Sequence, residues 1–195
     1  MSRCHTSSAT CFTRGSLSCR AMAELRELIR DIPDFPQPGI VFKDATPLFA
    51  DPAALEQAVE ALSEHARPLE VDFVVAPEAR GFILGAAIAA RCGAGFIPVR
   101  KPEKLPYETT SVSYELEYGM DELHMHVDAL RNGARVLLHD DLIATGGTMA
   151  AIEELVESEG AEVAGVSFLM ELAFLDGRSR LRNRDAFSLI RFDEG

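Results

Sequence analysis

The chain has 195 residues, of which 47% are hydrophobic and 26% charged, a composition that excludes disordered, collagen-like and coiled-coil classes. Its 19 Lys and Arg against 31 Asp and Glu give a net charge of −12. Proteins that track a nucleic-acid backbone usually carry a basic face, so nucleic acid and anionic membranes are poor partners. The longest uncharged apolar stretch, residues 81–90, is too short to span a bilayer, which takes about 20 residues. A small anionic substrate stays compatible, since it needs only a local positive pocket.

The first 21 residues differ from the rest, because they contain three Arg, three of the four Cys and no acid. Three interpretations stay open: translation that begins at Met22, an organelle transit peptide, or a disordered tail. We expect residues 1–21 to form a disordered leader and residues 22–195 to form one domain. Within that domain Cys92 is the only cysteine, so a disulfide framework is excluded and a reducing compartment, the cytoplasm, is expected.

Helix and strand signals alternate along the domain. Up to residue 100 the pattern predicts a helix at 23–30, an irregular proline-rich loop at 33–39, a helix at 51–66, a strand at 72–76, a helix at 81–92 and a strand at 95–100. Beyond it the pattern predicts a hairpin at 109–127 around Gly119, a strand at 135–139, a helix at 148–160 and a strand at 163–172. This order favours an open parallel sheet with helices on both faces, where ligands bind beyond the carboxyl ends of the strands.

The segment VLLHDDLIATGGT at 136–148 carries the strongest chemical signal. It places Asp140 and Asp141 at the end of an apolar strand, before a Thr/Gly turn that opens a helix. Free backbone N–H groups at Thr145 to Thr148 suit a phosphate, and the glycines let it approach closely. Two acids beside a phosphate suit neutral hydroxyls, such as those of a ribose, or a divalent cation. The alternative is a plain strand–turn–helix corner with a solvated acid pair.

This segment resembles the phosphoribosyl-diphosphate signature of the type I phosphoribosyltransferases. DFPQPGIVFKD at 34–44 is similar to the segment that covers the base in the adenine-specific branch of that family. Further segments match in order: EARGF at 78–82, RK at 100–101 with KLP at 104–106, and YELEYG at 114–119. The resemblance covers residues 25–192. It implies an α/β fold with a mostly parallel twisted sheet flanked by helices, and a small N-terminal hood of about residues 22–50.

The resemblance also implies an activity: magnesium-dependent transfer of the 5-phosphoribosyl group of 5-phosphoribosyl 1-diphosphate to N9 of adenine, which gives AMP and diphosphate in purine salvage. It implies a cytoplasmic homodimer whose partners are these small molecules, with Mg²⁺ bound mainly through the diphosphate. A non-proline cis peptide bond is expected at Glu78–Ala79.

The resemblance further implies roles on the phosphoribosyl side. Asp140 and Asp141 would hold the ribose 2- and 3-hydroxyls and favour a cationic sugar. Cations for the diphosphate would come from Arg80, Lys101 and Lys104, of which the two lysines have a solvated surface position as their alternative. The 5-phosphate would be cradled by Ala144, Thr145, Gly146, Gly147 and Thr148.

On the base side, Phe42 would stack on adenine, with a core position as its alternative. Val41 and Lys43 would read the adenine edge through backbone groups, and Leu169 would pack on the opposite face. Glu117 would exchange the imidazole proton and Tyr118 would hydrogen-bond the departing diphosphate. The hairpin alternation equally allows the last two to be a solvent-facing pair.

Three residues depart from the family pattern. Lys43 stands where many members carry arginine, and Glu103 occupies a position between the two lysines that is often glycine. His139 replaces an apolar residue before the acid pair, and we expect it to be a hydrogen-bonded core histidine. His124 and His126 have no acid or thiol at ligand spacing, so no zinc site is predicted.

Two rival functions stay open. A non-enzymatic sensor of the diphosphate would need a nucleic-acid-binding module, for which the domain offers no basic face. The same chemistry on hypoxanthine, guanine or xanthine is disfavoured by the DFPQPG segment.

Overall fold

A computed structural model describes residues 19–116, 119–182 and 186–194. The helices are α1 (Cys19–Glu27), α2 (Thr46–Ala50), α3 (Pro52–Ala66), α4 (Gly81–Cys92) and α5 (Gly147–Ser158). The strands are β1 (Arg30–Pro33), β2 (Val41–Asp44), β3 (Phe73–Pro77), β4 (Gly95–Val99), β5 (Thr109–Leu116), β6 (Gly119–His126), β7 (Arg135–Ile143), β8 (Glu162–Leu172) and β9 (Ala186–Phe192). No helix in these ranges is long and apolar enough to cross a membrane.

The central sheet has five strands in the order β4-β3-β7-β8-β9, and every neighbouring pair in it is parallel. The predicted open parallel sheet is therefore confirmed. Successive residues of β7 point to opposite faces, so Leu137 and Leu138 lie in separate buried clusters. Leu137 packs in the cluster that holds Leu62 of α3 and Leu84 of α4, whereas Leu138 packs with residues of α5.

Local signals set several helix ends. The Asp51 carboxylate accepts hydrogen bonds from the N–H groups of Ala53 and Ala54, both at 2.9 Å, and Pro52 occupies the first helical position of α3. Gly93 ends α4 with a φ of 71°, a conformation that glycine adopts without steric cost. These features confirm the predicted helices at 51–66 and 81–92.

Three parts of the chain differ from the sequence predictions. The helix α1 starts at Cys19, so it includes three residues that we assigned to the leader. The predicted loop at 33–39 is present, but it connects two strands that were not predicted, β1 and β2, which pair as an antiparallel hairpin. The strand β7 does not end at His139 but continues through both aspartates to Ile143, because β8 pairs with it along that length.

Candidate active site

The acid pair lies near the carboxyl end of β7, where the side chains of Asp140 and Asp141 point to opposite faces of the strand. Asp141 is only 5% exposed. Its N–H donates a hydrogen bond of 2.8 Å to the Asp140 carboxylate. Burial, and then the charge of the neighbouring Asp141, raises the pKa of Asp140 well above its ordinary value. A freely solvated acid pair, the alternative interpretation of this segment, does not describe these side chains.

Arg80, which precedes α4, contacts the acid pair and the ring of Phe42. Its Nε donates to the Asp141 carboxylate, and its guanidinium carbon lies 5.1 Å from the centroid of the Phe42 ring. A Cβ at Gly81 would lie 2.9 Å from the Asp140 carboxylate, so a glycine there lets α4 begin close to the acid pair. The Glu78–Ala79 peptide bond is cis, as the resemblance implies.

The Thr/Gly turn after β7 is held by contact between two glycines. Gly146 has a φ of 79°, and a Cβ there would lie 2.2 Å from the Gly177 carbonyl oxygen. Gly177 in turn leaves no room for a side chain, since a Cβ would lie 2.2 Å from the Ala144 carbonyl oxygen. The turn bounds a small cleft of about 100 Å³ whose lining includes Asp140, Ala144, Thr145, Gly146, Gly147 and Thr148. The turn thus opens α5 beside this cleft, which is the position at which the sequence predicts a phosphate.

A second cleft, of about 280 Å³, adjoins the acid pair. It is lined by Pro77, Glu78, Ala79, Arg80, Lys101, Tyr114, Asp121, Leu123, Asp140, Asp141 and Thr148. The structure thus brings together the predicted Arg80, Lys101, Thr148 and both aspartates. The cleft offers carboxylates for hydroxyls or a cation. It also offers the fixed positive charges of Arg80 and Lys101, each paired with an aspartate, for an anion.

Three residues of this cleft were not predicted from sequence. The Lys101 ammonium lies 3.0 Å from the Asp121 carboxylate, which raises the pKa of Lys101. The Tyr114 hydroxyl donates to Asp121 and accepts from Thr148, both at 3.4 Å. Tyr114 and Asp121 are direct partners in the β5–β6 register, so the predicted hairpin alternation was the signal that would have paired them.

Glu78, the third, anchors the start of the lysine loop. Its carboxylate accepts from the Lys101 N–H at 2.6 Å and from the Arg100 guanidinium at 2.9 Å. Burial raises the pKa of Glu78, but these donors outweigh it and hold that pKa below its ordinary value. The EARGF segment was the available signal, yet sequence alone does not show which of its residues faces the loop.

The lysine loop places its other charged residues at the surface. Lys104 is exposed, and its N–H donates to the Lys101 carbonyl at 3.4 Å. Glu103 is also exposed and has a φ of 64°, in the left-handed region that favours glycine. The residue that departs from the family pattern therefore stands where the backbone itself favours a glycine.

On the base side, Phe42 lies on β2 with its ring packed edge-on against Phe35, at 5.2 Å between centroids. Val41 is 41% exposed, whereas Leu169 is fully buried in the core. The Lys43 side chain is buried and turned away from Phe42. The predicted contacts of Glu117 and Tyr118 lie outside the described residues.

His139 is fully buried on β7. Its Nδ1 lies 3.0 Å from the Ser167 hydroxyl, and burial lowers its pKa to about 3. The side chain is therefore neutral at physiological pH, which agrees with the predicted hydrogen-bonded core histidine.

Comparisons with known proteins converge on one enzyme family. The phosphoribosyl transferase domain family matches residues 47–190. An adenine phosphoribosyltransferase of Solibacter usitatus is 51% identical over 173 residues, which is 89% of this chain and all of the relative. One of Desulfitobacterium hafniense is 55% identical over 164 residues, covering 84% of this chain and 95% of the relative.

Solved structures give the same result. The chain is similar to adenine phosphoribosyltransferase from Thermoanaerobacter pseudethanolicus, with a TM-score of 0.85, 52% identity, and coverage of 88% of this chain and 99% of that one. It is also similar to the Saccharomyces cerevisiae enzyme complexed with an imino-altritol bisphosphate and adenine, with a TM-score of 0.84, 39% identity, and coverage of 88% and 99%.

Proposed function

The chain belongs to the adenine phosphoribosyltransferase family and forms AMP from adenine and 5-phosphoribosyl 1-diphosphate, and we propose which of its residues perform each part of that transfer. The reaction forms a bond between N9 of adenine and C1 of the ribose, and breaks the bond from C1 to the diphosphate oxygen. The observation that carries the assignment is the convergence of the acid pair, Arg80, Lys101 and Thr148 on one cleft, which adjoins the cleft bounded by the Thr/Gly turn.

Asp140 and Asp141 bind the ribose hydroxyls. Positive charge develops on the sugar as the diphosphate leaves, and buried carboxylates stabilise that charge more strongly than solvated ones. The hydrogen bond from the Asp141 N–H and the ion pair from Arg80 fix both carboxylates before substrate arrives. Catalysis by this pair is therefore a matter of positioning and electrostatics.

The phosphate groups bind in the two clefts, which share Asp140 and Thr148. Ala144 to Thr148 cradle the 5-phosphate with backbone N–H groups and two hydroxyls. Arg80, Lys101 and Lys104 bind the diphosphate. Because Lys101 is paired with Asp121 without substrate, the incoming diphosphate has to compete with that carboxylate for the ammonium.

Adenine stacks on Phe42, with the backbone of Val41 and Lys43 on its edge. Leu169 was predicted to pack on the other face of the base, but it is fully buried in the core and offers no surface there. The ring of Phe42 faces the Arg80 guanidinium, which supports a position for the base next to the ribose site. Glu117 exchanges the proton of the base and Tyr118 hydrogen-bonds the departing diphosphate.

The donor set of the larger cleft fits Mg²⁺, which prefers carboxylate and phosphate oxygens. Asp121, Asp140 and Asp141 line it, although no group of three acids, histidines or cysteines in the described ranges is close enough to hold a metal alone. The ion would be held mainly by the substrate's diphosphate beside these aspartates, and it would supply positive charge for the leaving group.

We also propose that the enzyme is a cytoplasmic homodimer.

The test is incubation of the purified protein with 5-phosphoribosyl 1-diphosphate, magnesium and each of adenine, guanine, hypoxanthine and xanthine, with nucleotide products separated by chromatography. Efficient AMP formation with adenine alone is expected. Equal turnover of another purine would contradict the adenine assignment, and no product with any base would favour the sensor interpretation.

A further inference from the structure

Lys43 carries a buried charge that the transfer reaction does not use. Its ammonium lies 2.7 Å from the Asp31 carboxylate, its partner across the β1–β2 hairpin. The same ammonium lies 4.6 Å from the centroid of the Phe192 ring, at the end of β9. The Lys43 side chain is 9% exposed and Phe192 is 6% exposed, so water screens the contact between them little. We name these three residues the Lys43 cluster.

The Lys43 cluster joins the hood to the central sheet. Asp31 and Lys43 belong to the hood hairpin, whereas Phe192 is the last residue of β9. A second cation of the hood, Arg26 of α1, lies 4.6 Å from the same ring on Phe192 and donates to the Arg191 carbonyl at 3.1 Å. The end of β9 therefore holds both α1 and β2.

The position of Phe42 depends on this attachment. Phe42 and Lys43 are consecutive residues of one strand, so their side chains point to opposite faces. When Lys43 is fixed to Phe192, the opposite face of β2 presents Phe42 toward Arg80. A two-stranded hairpin has little stability of its own, so its position has to come from such contacts.

We propose that Lys43 is a positioning residue for adenine: its side chain fixes β2 on Phe192 and thereby sets where Phe42 meets the base. The proposal rests on the proposed function, since it assumes that adenine stacks on Phe42. It predicts that loss of the Lys43 charge weakens adenine binding and leaves the diphosphate site and the chemical step intact.

The decisive variant is Lys43→Met, which keeps the apolar stem and the backbone and removes the charge. Asp31 is 56% exposed, so it stays solvated when Lys43 is replaced. The opposite change, Asp31→Asn, is a poorer test because it leaves a buried ammonium without its acid. We expect the KM for adenine to rise about five- to tenfold, the size of a lost partly buried cation–π and ion-pair contact. The kcat and the KM for 5-phosphoribosyl 1-diphosphate should change less than about twofold.

Four further proteins complete the experiment. Lys43→Arg should restore the wild-type KM for adenine, since arginine also pairs with Asp31 and stacks on Phe192. Phe192→Leu should raise the KM for adenine at least as much as Lys43→Met, because the same ring also contacts Arg26 of α1. Adding Lys43→Met to Phe192→Leu should have little further effect, because the Lys43–Phe192 contact is then already lost. Arg67→Met, which breaks a surface ion pair with Glu60 away from the hood, is the matched control and should leave the KM unchanged.

An unchanged KM for adenine in Lys43→Met and in Phe192→Leu would overturn the proposal, as would an equal rise in both KM values. If Lys43→Met does not fold, Phe192→Leu alone decides the question by the same KM comparison. Wild-type protein that forms no AMP from adenine would instead refute the proposed function, so the two failures are distinguishable.

Discussion

Arg80 lies between Phe42 and Asp141, with its guanidinium carbon 5.1 Å from the ring and its Nε donating to the carboxylate. One cation thus contacts both the residue proposed to stack on the base and the acid proposed to hold the ribose. The side chain is still 42% exposed, which leaves N–H groups of the guanidinium for the diphosphate. In the proposed assignment, this single side chain therefore lies between the base site and the ribose site.

Arg80→Lys should lower kcat/KM about 100-fold or more, since the geometry of the reacting groups is lost with it. Lysine keeps the charge, but it lacks the planar face that meets Phe42 and the fork that serves an acid and a phosphate together. Steady-state kinetics with both substrates measure the effect. Arg91→Lys on the same α4, where Arg91 pairs with Glu56 and Glu60, is the control. Full activity in Arg80→Lys would mean that charge alone suffices.

Asp140→Asn should lose most turnover and yet make the fold less sensitive to pH. Burial, and then the Asp141 charge, raises the pKa of Asp140, so the folded state keeps a proton that the unfolded state releases near pH 3.8. Wild-type stability from this group is therefore complete below that pH and falls as the pH rises. The difference between the thermal unfolding midpoints, variant minus wild type, should increase from pH 4 to pH 8. A constant difference across this range would show that Asp140 ionises normally.

Gly146→Ala should abolish most binding of the 5-phosphate. The new Cβ would lie 2.2 Å from the Gly177 carbonyl oxygen, so the turn has to move away from the geometry that presents its N–H groups. Gly93→Ala is the matched control, because Gly93 has a similar φ of 71° but no atom within 4 Å of the point where its new Cβ would lie. Both variants share the backbone strain of about 1 kcal/mol. Only Gly146→Ala should raise the KM for 5-phosphoribosyl 1-diphosphate. An equal rise in both variants would show that backbone strain, and not the clash with Gly177, causes the effect.

The parallel sheet and the acid pair were predictable because their signals are local. An apolar strand, two acids and a Thr/Gly turn are contiguous at 136–148, and the structure places them near one strand end. The extension of β7 to Ile143 was not predictable in this way, because it depends on pairing with β8 rather than on the residues of β7.

Most of the missed residues have partners that are distant in the chain; Tyr114, seven residues from Asp121 on the same hairpin, is the exception. Gly177 contacts the Thr/Gly turn from a segment that follows β8. Asp121 meets Lys101 only because β6 folds back beside β4. Lys43 was assigned to the base through its backbone. Its side-chain partner Phe192 lies at the other end of the chain, where no sequence pattern joins the two.

Glu103→Gly should improve both the fold and the diphosphate site. Glu103 has a φ of 64° beside two lysines that are proposed to bind an anion. Glycine relieves backbone strain of about 1 kcal/mol and also removes the acid, whereas Glu103→Gln removes only the acid. Both variants should lower the KM for the diphosphate about twofold, by the size of an exposed charge interaction. Only the glycine variant should unfold at a higher temperature, and an equal midpoint in the two would argue against strain at this position.

Deletion of residues 2–21 should change neither the homodimeric state nor the rate of AMP formation. The described contacts between α1 and the domain involve later residues: Leu25 is 1% exposed, and the Arg26 guanidinium lies 4.6 Å from the centroid of the Phe192 ring. The deletion therefore shortens α1 at its start without removing a buried residue of the described core. Sedimentation and the adenine assay on the truncated protein check the two expectations separately. An active monomer would refute the proposed homodimer, whereas an inactive dimer would show that the first 21 residues contribute to the site.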